Sequence, residues 1–108
     1  MDILEYLDVA GNRPFTDWFD RLDEQAATKI TVALTRMGLG NFTNVKSIGG
    51  GLLEYRIDFG PGYRIYFGRD GGEIVILLGG GTKKRQQRDI ETAQLRWVDY
   101  KRRKKERR

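Results

Sequence analysis

The 108-residue sequence contains no histidine and no cysteine. Without histidine, the usual general base near neutral pH is missing, and with it the Ser-His and Cys-His nucleophile arrangements and the commonest zinc ligand. Without cysteine there is no disulfide, no thiolate nucleophile and no thiolate metal site, a composition that suits a reducing cytoplasm. No metal and no cofactor is expected. Long apolar runs are missing as well, and residues 1–10 carry acids but none of the basic residues of a secretory n-region. The chain therefore reads as cytoplasmic and unprocessed, with no membrane partner.

Positive charge is plentiful. Twenty Lys and Arg stand against fifteen Asp and Glu, a net charge of +5, and much of the excess sits in two clusters, residues 83–88 and 101–108. No long basic helix with a greasy face accompanies them, so a polyanionic partner is favoured over an acidic membrane surface. The length suits one domain, expected over residues 1–100, with 101–108 as a basic, frayed tail that has no hydrophobe to bury.

Residues 1–9 alternate weakly and predict a strand with Ile3, Tyr6 and Leu7 as apolar contacts; Gly11-Asn12 breaks it. Pro14 fits the first turn of a helix, and Phe15, Trp18, Phe19 and Leu22 follow on one face. A second helix is predicted from about residue 23 to 37, with Ala26, Ile30, Ala33, Leu34 and Met37 as its stripe and Gly38 and Gly40 at its end. From Leu52 the period changes to two. Leu53, Tyr55, Ile57 and Phe59 point one way and Glu54, Arg56 and Asp58 the other; after Gly60-Pro61-Gly62, Tyr63, Ile65 and Phe67 alternate with Arg64 and Tyr66. Residues 74–78 are continuously apolar, as in a strand covered on both sides. A last helix from near Thr82 keeps Ile90, Ala93, Trp97 and Tyr100 on one face. The fold class is α+β: an N-terminal strand and a helical hairpin packed on an antiparallel sheet of about four strands, with a C-terminal helix.

Burying Tyr55 and Ile57 together with Tyr63, Ile65 and Phe67 forces an even-numbered register, which puts Glu54, Arg56, Arg64 and Tyr66 together on the other side. Two registers satisfy this. In one, Arg56 lies opposite Arg64, which is unfavourable unless an anion sits between them. In the other, Arg64 faces Asp58 and Arg56 faces Tyr66, an ordinary solvated surface with a cross-strand ion pair. Near the start of the last helix, Lys83, Lys84, Arg85 and Arg88 oppose the helix dipole, which suggests a bound phosphate, and Gly79-Gly80-Gly81 would let the backbone approach it. The competing reading is a soluble charge run. The GxxxxGK[ST] spacing of a nucleotide-binding loop is missing. Trp18, Phe15, Phe19 and Trp97 are expected in the core, Tyr100 is expected to help hold the last helix, and Tyr66 is expected among the arginines, where a base can stack.

The run Leu53-Glu54-Tyr55-Arg56-Ile57-Asp58-Phe59-Gly60-Pro61-Gly62-Tyr63-Arg64-Ile65-Tyr66-Phe67, followed by Leu77-Leu78-Gly79-Gly80-Gly81-Thr82-Lys83-Lys84 and Arg88-Asp89-Ile90, resembles the addiction-module killer proteins, the phage Gp49-like, HigB-like branch of the RelE/ParE toxins. Trp18-Phe19 and Leu39-Gly40-Asn41-Phe42 extend the likeness over nearly the whole chain. The resemblance implies a RelE-like fold and a toxin of a type II toxin-antitoxin system that inhibits translation by cutting mRNA on the ribosome. It also implies a cognate antitoxin, in this branch usually a helix-turn-helix repressor, with operator DNA reached only through it. Arg64 matches the strand arginine that contacts the scissile phosphate, Arg56 a basic residue beside it, and Lys83 and Lys84 lie near the last catalytic basic position. Tyr66, Arg85, Arg88 and Glu54 are assigned to RNA binding. The sequence departs from the pattern at the C-terminal stacking tyrosine, which falls near Ile90.

With this inventory the ribose 2′-OH attacks the adjacent phosphate while Arg56, Arg64 and Lys84 stabilise the developing charge, without a metal. The proton acceptor is a lysine with a lowered pKa, Glu54 or Tyr66. Two rivals stand beside this endoribonuclease: a ParE-like inhibitor of DNA gyrase without nuclease chemistry, and a non-catalytic nucleic-acid binder whose affinity falls with salt.

Overall fold

The computed structural model describes residues 1–107. In chain order the elements are β1 (Asp2–Glu5), α1 (Pro14–Asp20), α2 (Glu24–Gly38), β2 (Val45–Ser47), β3 (Leu53–Ile57), β4 (Tyr63–Asp70), β5 (Ile74–Thr82), a 3-10 turn (Lys83–Arg85) and α3 (Gln86–Glu106). The strands form a single sheet in the order β1-β5-β4-β3-β2, with β1 parallel to β5 and every other pair antiparallel. The expected α+β architecture is present, enlarged by β2.

Alternation along β3 and β4 sorts the side chains onto two faces. One face carries Tyr55, Ile57, Tyr63, Ile65 and Phe67, and α1 and α2 cover it with Phe15, Ala26, Ile30, Ala33 and Met37. Pro14 opens α1, where its missing N–H costs nothing. Asp23 caps α2 by accepting from Ala26 N at 2.8 Å. The opposite face carries Leu52, Tyr66, Ile76 and Leu78, covered by Ala93 and Trp97 of α3 together with Tyr6, with Ile90 and Tyr100 packed at the margin. The sheet is thus buried on both sides, which accounts for the unbroken apolar run of β5.

Four expectations need correction. The first strand stops at Glu5 rather than reaching residue 9. β2, with one apolar residue in three, carries too short a pattern to be seen and forms because β3 offers it a free edge. Gly79-Gly80-Gly81, expected as a stretch between strand and helix, belongs to β5 itself; the ladder slips by one residue at Tyr66/Phe67 and then pairs Arg64 with Gly81. The basic stretch after Tyr100 is helical through Glu106 rather than frayed; Arg108, the last residue of the expected tail, lies outside the described residues. What fixes the end of α3 is polar: Tyr6 Oη donates to Asp99 at 2.6 Å, Tyr100 Oη donates to Asp70 at 2.7 Å, Lys104 pairs with Asp70, and Arg103 donates to the Leu7 carbonyl. Arg103, Lys104 and Lys105 in the last turn also complement the negative end of the helix dipole. No helix among the described residues is long and apolar enough to cross a membrane.

Candidate functional site

The register across the β3–β4 hairpin sets Arg56 directly opposite Arg64 and Glu54 opposite Tyr66. The alternative pairing of Arg64 with Asp58 is not adopted. Two guanidinium groups across one ladder repel each other unless an anion intervenes, and here the anion belongs to the protein. Glu54 is fully buried; its Oε1 accepts from Arg56 Nε at 2.9 Å and lies 3.9 Å from Arg64 Nε, while Gln86 Nε2 from the first turn of α3 donates to Oε2 at 2.8 Å. A strand carboxylate thus gathers two arginines and a helix terminus into one cluster.

The two arginines differ in access. The side chain of Arg56 is 47% exposed and that of Arg64 only 9%. Arg64 Nη1 makes a long contact of 3.4 Å to the Tyr63 carbonyl, and its Nε is buried without a hydrogen-bond partner. Lys83 joins them: its backbone N–H donates to the Gly62 carbonyl at 2.8 Å, and a β-carbon placed on Gly62 would lie 3.3 Å from Lys83 Cβ and 3.4 Å from Arg64 Nη1. Gly62 also has a φ of +78°, so a side chain there would be strained as well as crowded. Lys83 and Lys84 are exposed and form no ion pair among the described residues. Arg56, Arg64 and Lys83 therefore surround a surface point with one buried carboxylate beneath it.

Two assigned contacts are overturned. Tyr66 is 1% exposed, roofed by α3 and packed with Leu52, Leu78 and Trp97, so neither face of its ring is open to a base. Burial, reinforced by the Glu54 and Asp89 carboxylates nearby, pushes its phenol well above the usual range, which removes it as a proton acceptor. Glu54 cannot touch RNA for the same reason of depth; it positions Arg56 and Arg64. Arg85 and Arg88 line a separate cleft between α1 and α3, whose lining includes neither Arg56 nor Arg64.

Gln86, Asp89 and Arg96 were not singled out from the sequence. Arg85, Arg88, Asp89, Thr92 and Arg96 recur at helical spacing, a polar stripe beside the apolar one, and that periodicity was readable. The clamp of Gln86 on Glu54 joins residues far apart in the chain and left no local signal.

Fold and site together describe a small α+β protein whose sheet and C-terminal helix hold a cationic cluster around one internal carboxylate. The chain belongs to the family described as phage derived protein Gp49-like (DUF891), whose pattern matches residues 17–98 and so takes in the whole cluster. It is also similar to an uncharacterized protein of Haemophilus influenzae, 43% identical over 82 residues, which is 75% of this chain and 83% of the relative.

Proposed function

We propose that the protein is a RelE/HigB-like toxin of a toxin-antitoxin pair, acting in the cytoplasm as a ribosome-dependent mRNA endonuclease. The observation that carries the reading is the apposition of Arg56 and Arg64 beside the exposed Lys83, with a single buried carboxylate among them. Glu54 supplies one negative charge against Arg56, Arg64 and Lys83, so the cluster keeps a net positive charge that a phosphate can meet. Membership of the Gp49-like family supports the same reading.

The chemistry follows from what this cluster can do. A ribose 2′-oxygen attacks the adjacent phosphorus, the bond to the 5′-oxygen breaks, and the products are a 2′,3′-cyclic phosphate and a free 5′-hydroxyl. Arg56 and Lys83 meet the phosphate first, and Arg64 meets it through the narrow exposed edge of its side chain, so that positive charge is already in place where negative charge develops. Lys84 stands next along the turn. The 2′-OH proton passes to one of the two lysines and a lysine ammonium proton passes to the departing 5′-oxygen, since Tyr66 and Glu54 are too deep to take part. Positioning of the message falls to ribosomal RNA, which supplies the alignment that so sparse a site lacks. A cognate antitoxin, of helix-turn-helix type, holds the toxin inactive and carries the pair to operator DNA.

The test is a translating extract in which message ends are mapped by primer extension for the wild type, Arg56→Ala and Arg64→Ala, with a ribosome-free control. Cuts that need ribosomes and fall by about 10² in either variant are expected, the scale of losing one charge-stabilising donor. Intact messages with gyrase inhibited would replace this reading with the ParE-like one.

A further inference from the structure

Between α1 and α3, over the glycines of β5, lies a cleft of about 480 Å³, within the range of roughly 300–1,000 Å³ typical of small-ligand sites. Its two walls differ in chemistry. Pro14, Trp18 and Leu22 form an apolar wall on the α1 side, with Arg21 beside them, and Arg85, Arg88 and Arg96 a cationic wall on the α3 side. The glycines let these walls close in. A β-carbon on Gly80 would run into the Trp18 ring, one on Gly81 into the Asp89 carboxylate, and one on Gly79 would lie 2.7 Å from Arg96 Nη1.

The cationic wall carries more positive charge than the Asp89 carboxylate beside it offsets. Among the described residues Arg85, Arg88 and Arg96 form no ion pair. Asp89 lies close enough to all three to feel their charge, yet burial raises its pKa and it pairs with none of them. Arg96 is partly buried and spends Nη1 on the Leu78 carbonyl at 2.8 Å. Tyr66 lies at the floor of the cleft, beneath α3. Arg85 and Arg88 are exposed, so water solvates them in the free protein and their donors stay available to an anionic ligand.

We propose that this cleft binds one ribonucleotide of the RNA substrate, its phosphate against Arg85 and Arg88 and its base along the Trp18–Leu22 wall. The proposal rests on the RNA-cleaving reading and deepens it, giving that site a neighbouring nucleotide pocket. Spacing agrees: Arg64 pairs with Gly81 and Tyr66 with Gly79, so the cleft begins one strand away from the Arg56–Arg64 cluster, roughly 5 Å. A nucleotide next to the scissile phosphate falls within that reach.

The experiment follows the indole N–H signals of ¹⁵N-labelled protein during titration with adenosine 5′-monophosphate, adenosine alone and inorganic phosphate alone, with Trp18→Phe to assign the Trp18 signal. The expected result is a saturable shift of Trp18 by the nucleotide, with both fragments weaker, and an affinity loss of roughly tenfold or more in Arg88→Ala. An unmoved Trp18 signal, unchanged affinity in Arg88→Ala, or inorganic phosphate binding as tightly as the nucleotide would each overturn the proposal. No ribosome and no cleavage enter the assay, so its failure is separate from failure of the nuclease reading.

Discussion

Arg56 and Arg64 face each other across the β3–β4 ladder, and the Glu54 carboxylate between them is fully buried. Removing that carboxylate leaves the largely buried Arg64 without compensation, a change that typically costs about 3–5 kcal/mol. Glu54→Ala should therefore lower Tm by roughly 10 °C or more in a chain of this size, and the added Arg56→Ala should restore part of the loss by relieving the remaining repulsion. Thermal melts of the single and double variants check this; additive losses would show that Glu54 acts independently of Arg56. At this scale the sequence was partly legible. The alternation that buries Tyr55 and Ile65 put Glu54, Arg56, Arg64 and Tyr66 on one face, but both even registers satisfied it, and only the buried Glu54, held by Arg56 and by Gln86 of α3, separates them. Tyr66 was misjudged because a strand pattern reports which face a residue shares and not what later covers that face.

Among the elements, α1 and α3 approach the sheet at positions where glycine is required. A β-carbon on Gly68 would lie 2.5 Å from the Trp97 ring, so Gly68→Ala must push α3 outward; overpacking of this kind costs about 1–3 kcal/mol. Urea melts should show that loss, with near-UV circular dichroism reporting the displaced Trp97, whereas Gly71→Ala, in an open turn, should leave Trp97 undisturbed. These contacts also explain how β5 runs on past the apolar residues 74–78: glycine is depleted in strands, and the reason for three in a row is the packing of Trp18, Asp89 and Arg96 on them. The helical hairpin and the apolar stripe of α3 were legible because each marks its own buried face. The last turns of α3 were not, since they have no apolar stripe and are held by Asp70 and by partners near the N-terminus.

That polar docking makes the α3 contacts sensitive to pH at both ends of the scale. The hydrogen bonds from Tyr6 and then Arg102 hold the Asp99 carboxyl below its ordinary value of 3.8, so its contribution is present above that value and is lost as pH falls through the lower folded value. Burial, and then the hydrogen bond to Asp70, push the Tyr100 phenol up to about 12 from its ordinary 10.0. Its contribution is present below pH 10.0 and is lost as pH rises toward about 12. Tm should therefore fall at both extremes; Asp99→Asn should blunt the acid limb alone and Tyr100→Phe the alkaline limb alone.

For the molecule as a whole, a net charge of +5 guarantees some attraction to any RNA, and the question is which cations provide specificity. General attraction appears as salt dependence: each phosphate neutralised on a single strand contributes about 0.7 to the slope of log affinity against log salt. Replacing Lys105 and Arg107, exposed near the end of α3, with glutamine should weaken RNA binding and flatten that slope while leaving the positions of ribosome-dependent cuts unchanged. Replacing Lys83 and Lys84 should flatten the slope by a similar amount, because the same number of charges is removed, yet abolish cutting, because those charges stand beside Arg56 and Arg64. Filter binding across a salt series, run alongside primer extension on the same two proteins, separates the effects. Equal loss of cutting in both would assign the activity to overall charge, whereas loss confined to the Lys83–Lys84 variant would locate it at the cluster that Glu54 assembles.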